Sequence, residues 1–147
     1  MTTNDERAAT LARALHAGIA GDRKAVEDAC TADVRVWAPA LTAGSLAELL
    51  DALDRRDAAF SDIELATTPL DVGGDFACVE WTVRMTHSAP LELGGGTTLD
   101  ATGERVTLNG ATIAEFAGDR ICALRQYWDE FAVLEQLGVL TADDVLY

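Results

Sequence analysis

Histidine, cysteine and basic residues are all scarce in this sequence. Its 147 residues include two histidines, His16 and His87, and three cysteines, Cys30, Cys78 and Cys122. Neither His-Glu-x-x-His nor paired Cys-x-x-Cys spacing occurs, so no metal site is expected. An odd number of widely separated cysteines does not read as a disulfide framework. Reduced, buried small residues in a cytoplasmic protein are the simpler expectation. Lys and Arg total 11 against 25 Asp and Glu, a formal net charge of −14. Such a surface repels phosphate backbones and anionic lipid, so neither nucleic acid nor a membrane is an expected partner. No apolar run approaches the roughly 20 residues that cross a bilayer. The opening residues, MTTNDERAAT, carry neither the basic start nor the apolar core of a secretory signal. Gly94-Gly95-Gly96 lacks a following Gly-Lys-Ser/Thr, and no Gly-x-Ser-x-Gly elbow exists. A phosphate loop and a serine-hydrolase nucleophile are therefore unsupported.

What the sequence does have is material for a core. Hydrophobic residues make up 49% and charged residues 24% of a chain long enough for one domain, expected over residues 1–147. Ala8, Leu11, Ala12, Leu15 and Ile19 recur at three- and four-residue steps and predict an amphipathic helix ending at Gly21. Asp22 is placed to cap a short second helix with Ala25, Val26 and Ala29 inward. Ser45-Leu46-Ala47-Glu48 fits a capping box opening a third helix. Between these helices, Val34 and Val36 alternate with Arg35 and Trp37 as a short strand. After Phe60 the period becomes two. Ile63, Leu65 and Thr67 form one face of a strand, and Phe76 to His87 puts Ala77, Val79, Trp81, Val83, Met85 and His87 on another. Ala89 to Gly103 reads as loose. Strands at about 104–116 and 121–128 follow, joined at Gly118-Asp119, and a last short helix holds Phe131, Leu134 and Leu137. Helices gathered before long antiparallel strands predict an α+β fold, a strongly curved sheet wrapped over the N-terminal helices.

Several motifs resemble those of one family. Gly118-Asp119-Arg120-Ile121, Gln126-Tyr127-Trp128-Asp129 and Gln136-Leu137-Gly138 resemble the C-terminal signature of SnoaL-like proteins, polyketide cyclase relatives in the nuclear transport factor 2-like superfamily. Ala20-Gly21-Asp22, and Thr86-His87 followed by Thr102-Gly103-Glu104-Arg105-Val106, resemble further family segments. The likeness runs in order over about residues 6 to 140. It implies a cone-shaped α+β barrel of the cystatin-like kind, a homodimer, and no metal or organic cofactor. It also implies a hydrophobic, carbonyl-bearing small-molecule substrate. The superfamily includes ketosteroid isomerases, limonene epoxide hydrolases and non-catalytic members, so the fold leaves the function open.

The resemblance gives Asp129 the role of general base. A carboxylate on the floor of an apolar cavity is made more basic by desolvation, which suits removal of a proton beside a carbonyl. Asp129 also directly precedes Glu130-Phe131-Ala132, where it would cap the last helix. His87 shares strand parity with Trp81 and Val83; it is a substrate-orienting or proton-donating group, or a satisfied core histidine. Arg125 and Tyr127 share the parity of Asp129. Either all three face the cavity, or a one-residue bulge turns them outward and makes Leu124 and Trp128 core. Trp37 and Trp81 are candidate cavity walls, or core. Asn109, beside Gly110, is a pocket hydrogen-bonding group or the mark of a bulge. His16, beside Leu15 on the first helix, is a lesser candidate, and Glu80 with Arg84 a solvated cross-strand set. The reactions in contention are cofactor-independent cyclisation or isomerisation, epoxide opening with Arg125 beside Asp129, and ligand binding or dimerisation without turnover.

Overall fold

The computed structural model describes residues 3–39, 41–54 and 58–140; the ends of the domain expected over 1–147 lie outside them. Helix α1 (Asn4–Ala20) opens with a capping box: Thr3 Oγ1 accepts from the Glu6 amide, and the Glu6 carboxylate accepts from the Thr3 amide. It ends at Gly21, whose φ of 75° turns the chain so that Asp22 caps α2 (Arg23–Ala29). Strands β1 (Cys30–Ala38) and β2 (Leu41–Ala43) lead into α3 (Leu46–Asp54). Ser45 accepts from the Glu48 amide as predicted, while the Glu48 carboxylate takes the Gly44 amide instead of its own cap's. Then come β3 (Phe60–Leu70), β4 (Phe76–His87), β5 (Leu91–Gly94), β6 (Thr97–Leu99), β7 (Arg105–Ala117), β8 (Arg120–Trp128) and α4 (Glu130–Gln136).

Six strands form one sheet in the order β2-β1-β8-β7-β4-β3. It is mixed rather than purely antiparallel, because β1 runs parallel to β8. The helices cover its inner face. Leu11, Val26, Val34, Leu49, Leu50, Val79, Phe116 and Ile121 make one hydrophobic cluster, and Trp81, Val83, Val106, Leu108, Val133 and Leu137 make a second under α4. The segment read as loose carries the β5–β6 hairpin; Gly95 and Gly96, at φ of 61° and 80°, supply its tight turn. Leu91 and Leu99 from that hairpin pack against the second cluster. No described helix is long and apolar enough to cross a membrane.

The odd-numbered face of β4 points inward as its alternation predicts. Ala77, Val79, Trp81, Val83 and His87 are all buried. β7 pairs with it residue for residue, so Val106, Leu108, Thr112, Ala114 and Phe116 face inward too. β8 does not keep one phase. Phe116 pairs with Ile121, but Glu115 pairs with Ala123, leaving Cys122 as an extra residue. That bulge moves the inward face of β8 from Ile121 to Leu124, Gln126 and Trp128, which sit opposite Ala114, Thr112 and Gly110.

Candidate functional site around His87

The bulge settles where the last strand's polar residues point. Arg125 and Tyr127 lie on the outer, exposed face, contrary to the reading that turned them into the cavity. Trp37, paired with Arg125 in the parallel ladder, lies there as well. Its ring stacks at 5.2 Å and a 45° tilt on Tyr127, and each residue is 47% exposed. Trp37 is thus an outer-face residue and not a cavity wall.

Asp129 follows the strand and is exposed. Its Oδ1 accepts from the Ala132 amide at 3.3 Å, the N-cap of α4. The dry floor expected around this carboxylate is therefore absent: its capping position keeps it at the rim in water. Asn109 is exposed on the outer face and accepts from Thr82 Oγ1 at 2.7 Å. The register through Asn109 and Gly110 is regular, so no bulge lies there either. Gly110 is needed for another reason. A β-carbon on it would lie 2.3 Å from Cζ2 of Trp81 and 2.7 Å from the Tyr127 carbonyl oxygen. His16 lines a shallow surface groove of about 360 Å³ between α1 and α2, with Arg13 and Asp22. Glu80 and Arg84 are exposed, as expected.

Two sequence candidates do reach the interior. Trp81 is buried, its Nε1 donates to Thr112 Oγ1 at 2.9 Å, and its ring meets Trp128 edge-on at 6.1 Å. Gln126 Nε2 donates to the same hydroxyl at 3.3 Å. Thr112 and Gln126 were not among the candidates; the signal for Thr112 was a lone hydroxyl on the otherwise apolar even face of β7.

His87 is 0% exposed, and among the described residues it and Thr112 are the buried polar ones. Its backbone is clamped by the segment before β7: His87 N–H donates to Glu104 O, and Gly103 N–H donates to His87 O, each at 2.9 Å. Gly103 has a φ of 74°, the left-handed turn that folds Thr102 back over the imidazole. The Thr102 amide and hydroxyl lie 3.2 and 3.0 Å from Nδ1. Phe60 packs on the ring at 5.5 Å. The remaining ring nitrogen, Nε2, is buried without a hydrogen-bond partner. Leaving such an atom unsatisfied costs about 1–3 kcal/mol, so an orphan at the end of an apolar interior is a place for a ligand atom or a water.

His87 and Asp129 are not brought together. Asp129 leaves the sheet level with Trp128, which lies opposite Gly110 and Trp81. From there to His87 is six residues along β4, roughly 20 Å at 3.3 Å per residue. No three described His, Cys, Asp or Glu side chains are grouped to hold a metal ion.

The fold occurs in many solved structures. TsrD of Streptomyces laurentii superposes with a TM-score of 0.77 at 21% identity, covering 95% of this chain and 100% of that one. IdmH of Streptomyces antibioticus, a proposed polyketide cyclase, gives 0.74 at 20% identity over 90% and 99%. A limonene-epoxide-hydrolase-like epoxide hydrolase of Mycobacterium tuberculosis gives 0.67 at 16% identity over 90% of each chain. At these identities the likeness is one of fold. No curated protein sequence matches the chain. Residues 11–124 match the SnoaL-like domain, a segment that contains His87 and Thr102 and stops short of Tyr127 and Asp129. With the curled α+β architecture and most of its length inside that match, the chain belongs to the SnoaL-like domain family.

Proposed function

We propose that the protein binds a hydrophobic, carbonyl-bearing small molecule with its oxygen against His87, and that it promotes cofactor-independent cyclisation or isomerisation of a polyketide-like compound. The observation that carries this reading is the orphaned Nε2 of His87 at the end of an apolar, aromatic-lined interior. A buried donor without a partner holds an acceptor oxygen and so anchors the substrate. Family membership and the proposed cyclase IdmH among the similar folds support the same class. In this reading His87 anchors one carbonyl, and a base takes a proton beside another carbonyl of the same molecule. The enolate then closes a ring on a second carbonyl or is reprotonated elsewhere. Asp129 is the proposed base for the proton beside the carbonyl at the far end of the substrate; roughly 20 Å from His87, it does not serve the carbonyl that His87 holds. A substrate touched by both residues must be extended, as a polycyclic or chain-like polyketide is. A homodimer, implied by the family, belongs to the same proposal, and sedimentation equilibrium tests it.

A second reading, binding without turnover, is favoured by the filling of the interior by Trp81, Leu108, Trp128, Val133 and Leu137, and by the solvent around Asp129. Epoxide opening by Asp129 and Arg125 is supported less, since Arg125 lies on the outer face.

The test is exchange of α-protons for solvent deuterium in a panel of extended polycyclic diketones long enough to reach both residues, followed by proton NMR. Acceleration by the protein that is lost in Asp129→Asn and reduced in His87→Phe supports the enzyme. Saturable binding with no acceleration by the unaltered protein selects the binding module.

A further inference from the structure

We propose that Thr102 is a positioning residue that locks His87 in its Nε2–H tautomer, so that the interior presents a hydrogen-bond donor and selects ligands by an acceptor oxygen. The inference rests on the reading that His87 meets the ligand, and adds which role the imidazole plays there.

The argument runs through donor and acceptor counting. A neutral imidazole carries one proton, on Nδ1 or on Nε2. The Thr102 amide lies 3.2 Å from Nδ1, and a backbone N–H can only donate. Nδ1 must therefore be the accepting nitrogen. The Thr102 hydroxyl, 3.0 Å from the same atom, accepts from the Glu104 amide at 3.2 Å and, with Nδ1 already the acceptor, donates its proton to Nδ1. Two donors on one nitrogen fix the other tautomer, and Nε2 carries the hydrogen. That Nε2–H is buried and has no partner. A carbonyl or epoxide oxygen satisfies it. A hydroxyl or ammonium group offered proton-first does not, and a second donor buried there carries the same penalty again. The tautomer also removes His87 as a base toward the ligand, since its lone pair points at Thr102. The lock costs little to build: Thr102 is exposed on its far side, and Gly103 makes the turn that brings it back.

The experiment is nitrogen-15 NMR of the intact protein labelled at histidine, in which protonated and bare ring nitrogens resonate far apart. The expected spectrum of His87 at neutral pH shows a bare Nδ1 and a protonated Nε2; a protonated Nδ1 overturns the proposal. Thr102→Val keeps the amide donor and removes the hydroxyl. It is expected to raise the Nδ1–H population and to speed exchange of the Nε2 proton severalfold, with Thr102→Ser restoring the original spectrum. An unchanged spectrum in Thr102→Val, with the fold intact by circular dichroism, overturns the role of the Thr102 hydroxyl. The ligand arm uses 2-acetonaphthone against 2-ethylnaphthalene, which share a ring system and differ in the carbonyl. A shift of the Nε2 proton with the ketone alone supports donor selection, and equal shifts with both overturn it. If neither compound binds while the spectrum shows the expected tautomer, the failure falls on the functional reading and the lock itself stands.

Discussion

The side-chain amide of Gln136 takes over both backbone hydrogen bonds of Thr107. Its Oε1 accepts from the Thr107 amide and its Nε2 donates to the Thr107 carbonyl, each at 2.8 Å. β8 ends at Trp128 opposite Gly110, so this part of β7 lacks its next strand. One glutamine from α4 stands in for it and holds that helix over Trp81, Val83 and Leu108. Gln136→Ala is expected to lower stability by about 1–2 kcal/mol. It should also raise hydrogen exchange at the Thr107 amide more than at Val79. Equal protection of Thr107 in both proteins would show that α4 is held by its apolar face alone.

Gly110→Ala should be far worse than its single added methyl suggests. The new carbon would meet the rigid Trp81 ring and the Tyr127 carbonyl, neither of which can swing away without breaking the Trp81–Thr112 bond or the β7–β8 ladder. Overpacking of this kind costs about 1–3 kcal/mol. Urea unfolding followed by tryptophan fluorescence measures it.

Thr112→Val preserves shape and removes the acceptor of Trp81 Nε1 and Gln126 Nε2. A buried N–H left alone costs about 1–3 kcal/mol. Trp81→Phe in the same background removes the stranded donor, so the two changes should be clearly non-additive in a double-mutant cycle.

Burial pushes the Cys30 thiol from 9.0 up to about 11. The folded chain keeps this proton where the unfolded chain releases it. The stability contributed by the neutral thiol is therefore complete below pH 9 and is lost as the pH rises toward 11. Cys30→Ala should flatten that alkaline limb in thermal melts taken between these values. An unchanged slope would mean that the thiol is not shielded.

Asp129 has two separable roles. Asp129→Ala removes the cap of α4 and should cost about 1 kcal/mol. Asp129→Asn keeps a capping oxygen and removes basicity, so it should leave the melting temperature nearly unchanged and report on proton abstraction alone. If both substitutions leave deuterium exchange of bound ketones intact, the base lies elsewhere.

Much of the site was legible because its evidence is local. The alternation from Phe76 to His87 placed Trp81 and His87 inside, whereas the run Thr102-Gly103-Glu104 was legible only as a segment resembling the family's. The roles of Thr102 and Gln136 were not legible. Each depends on a partner far along the chain, His87 and Thr107 respectively, and hydrogen bonds of that range leave no periodic trace.

The sequence alone determined the four helices and the long strands, though not β2 or the β5–β6 hairpin, together with the inward face of β4, the excess of negative charge and the family resemblance, since each follows from spacing or composition within short windows. Tertiary structure decided the phase of β8 and, with it, the outward aim of Arg125 and Tyr127. A period of two states that neighbouring residues face opposite ways. Which way the set faces is set by strand pairing, and the one extra residue at Cys122 reverses it.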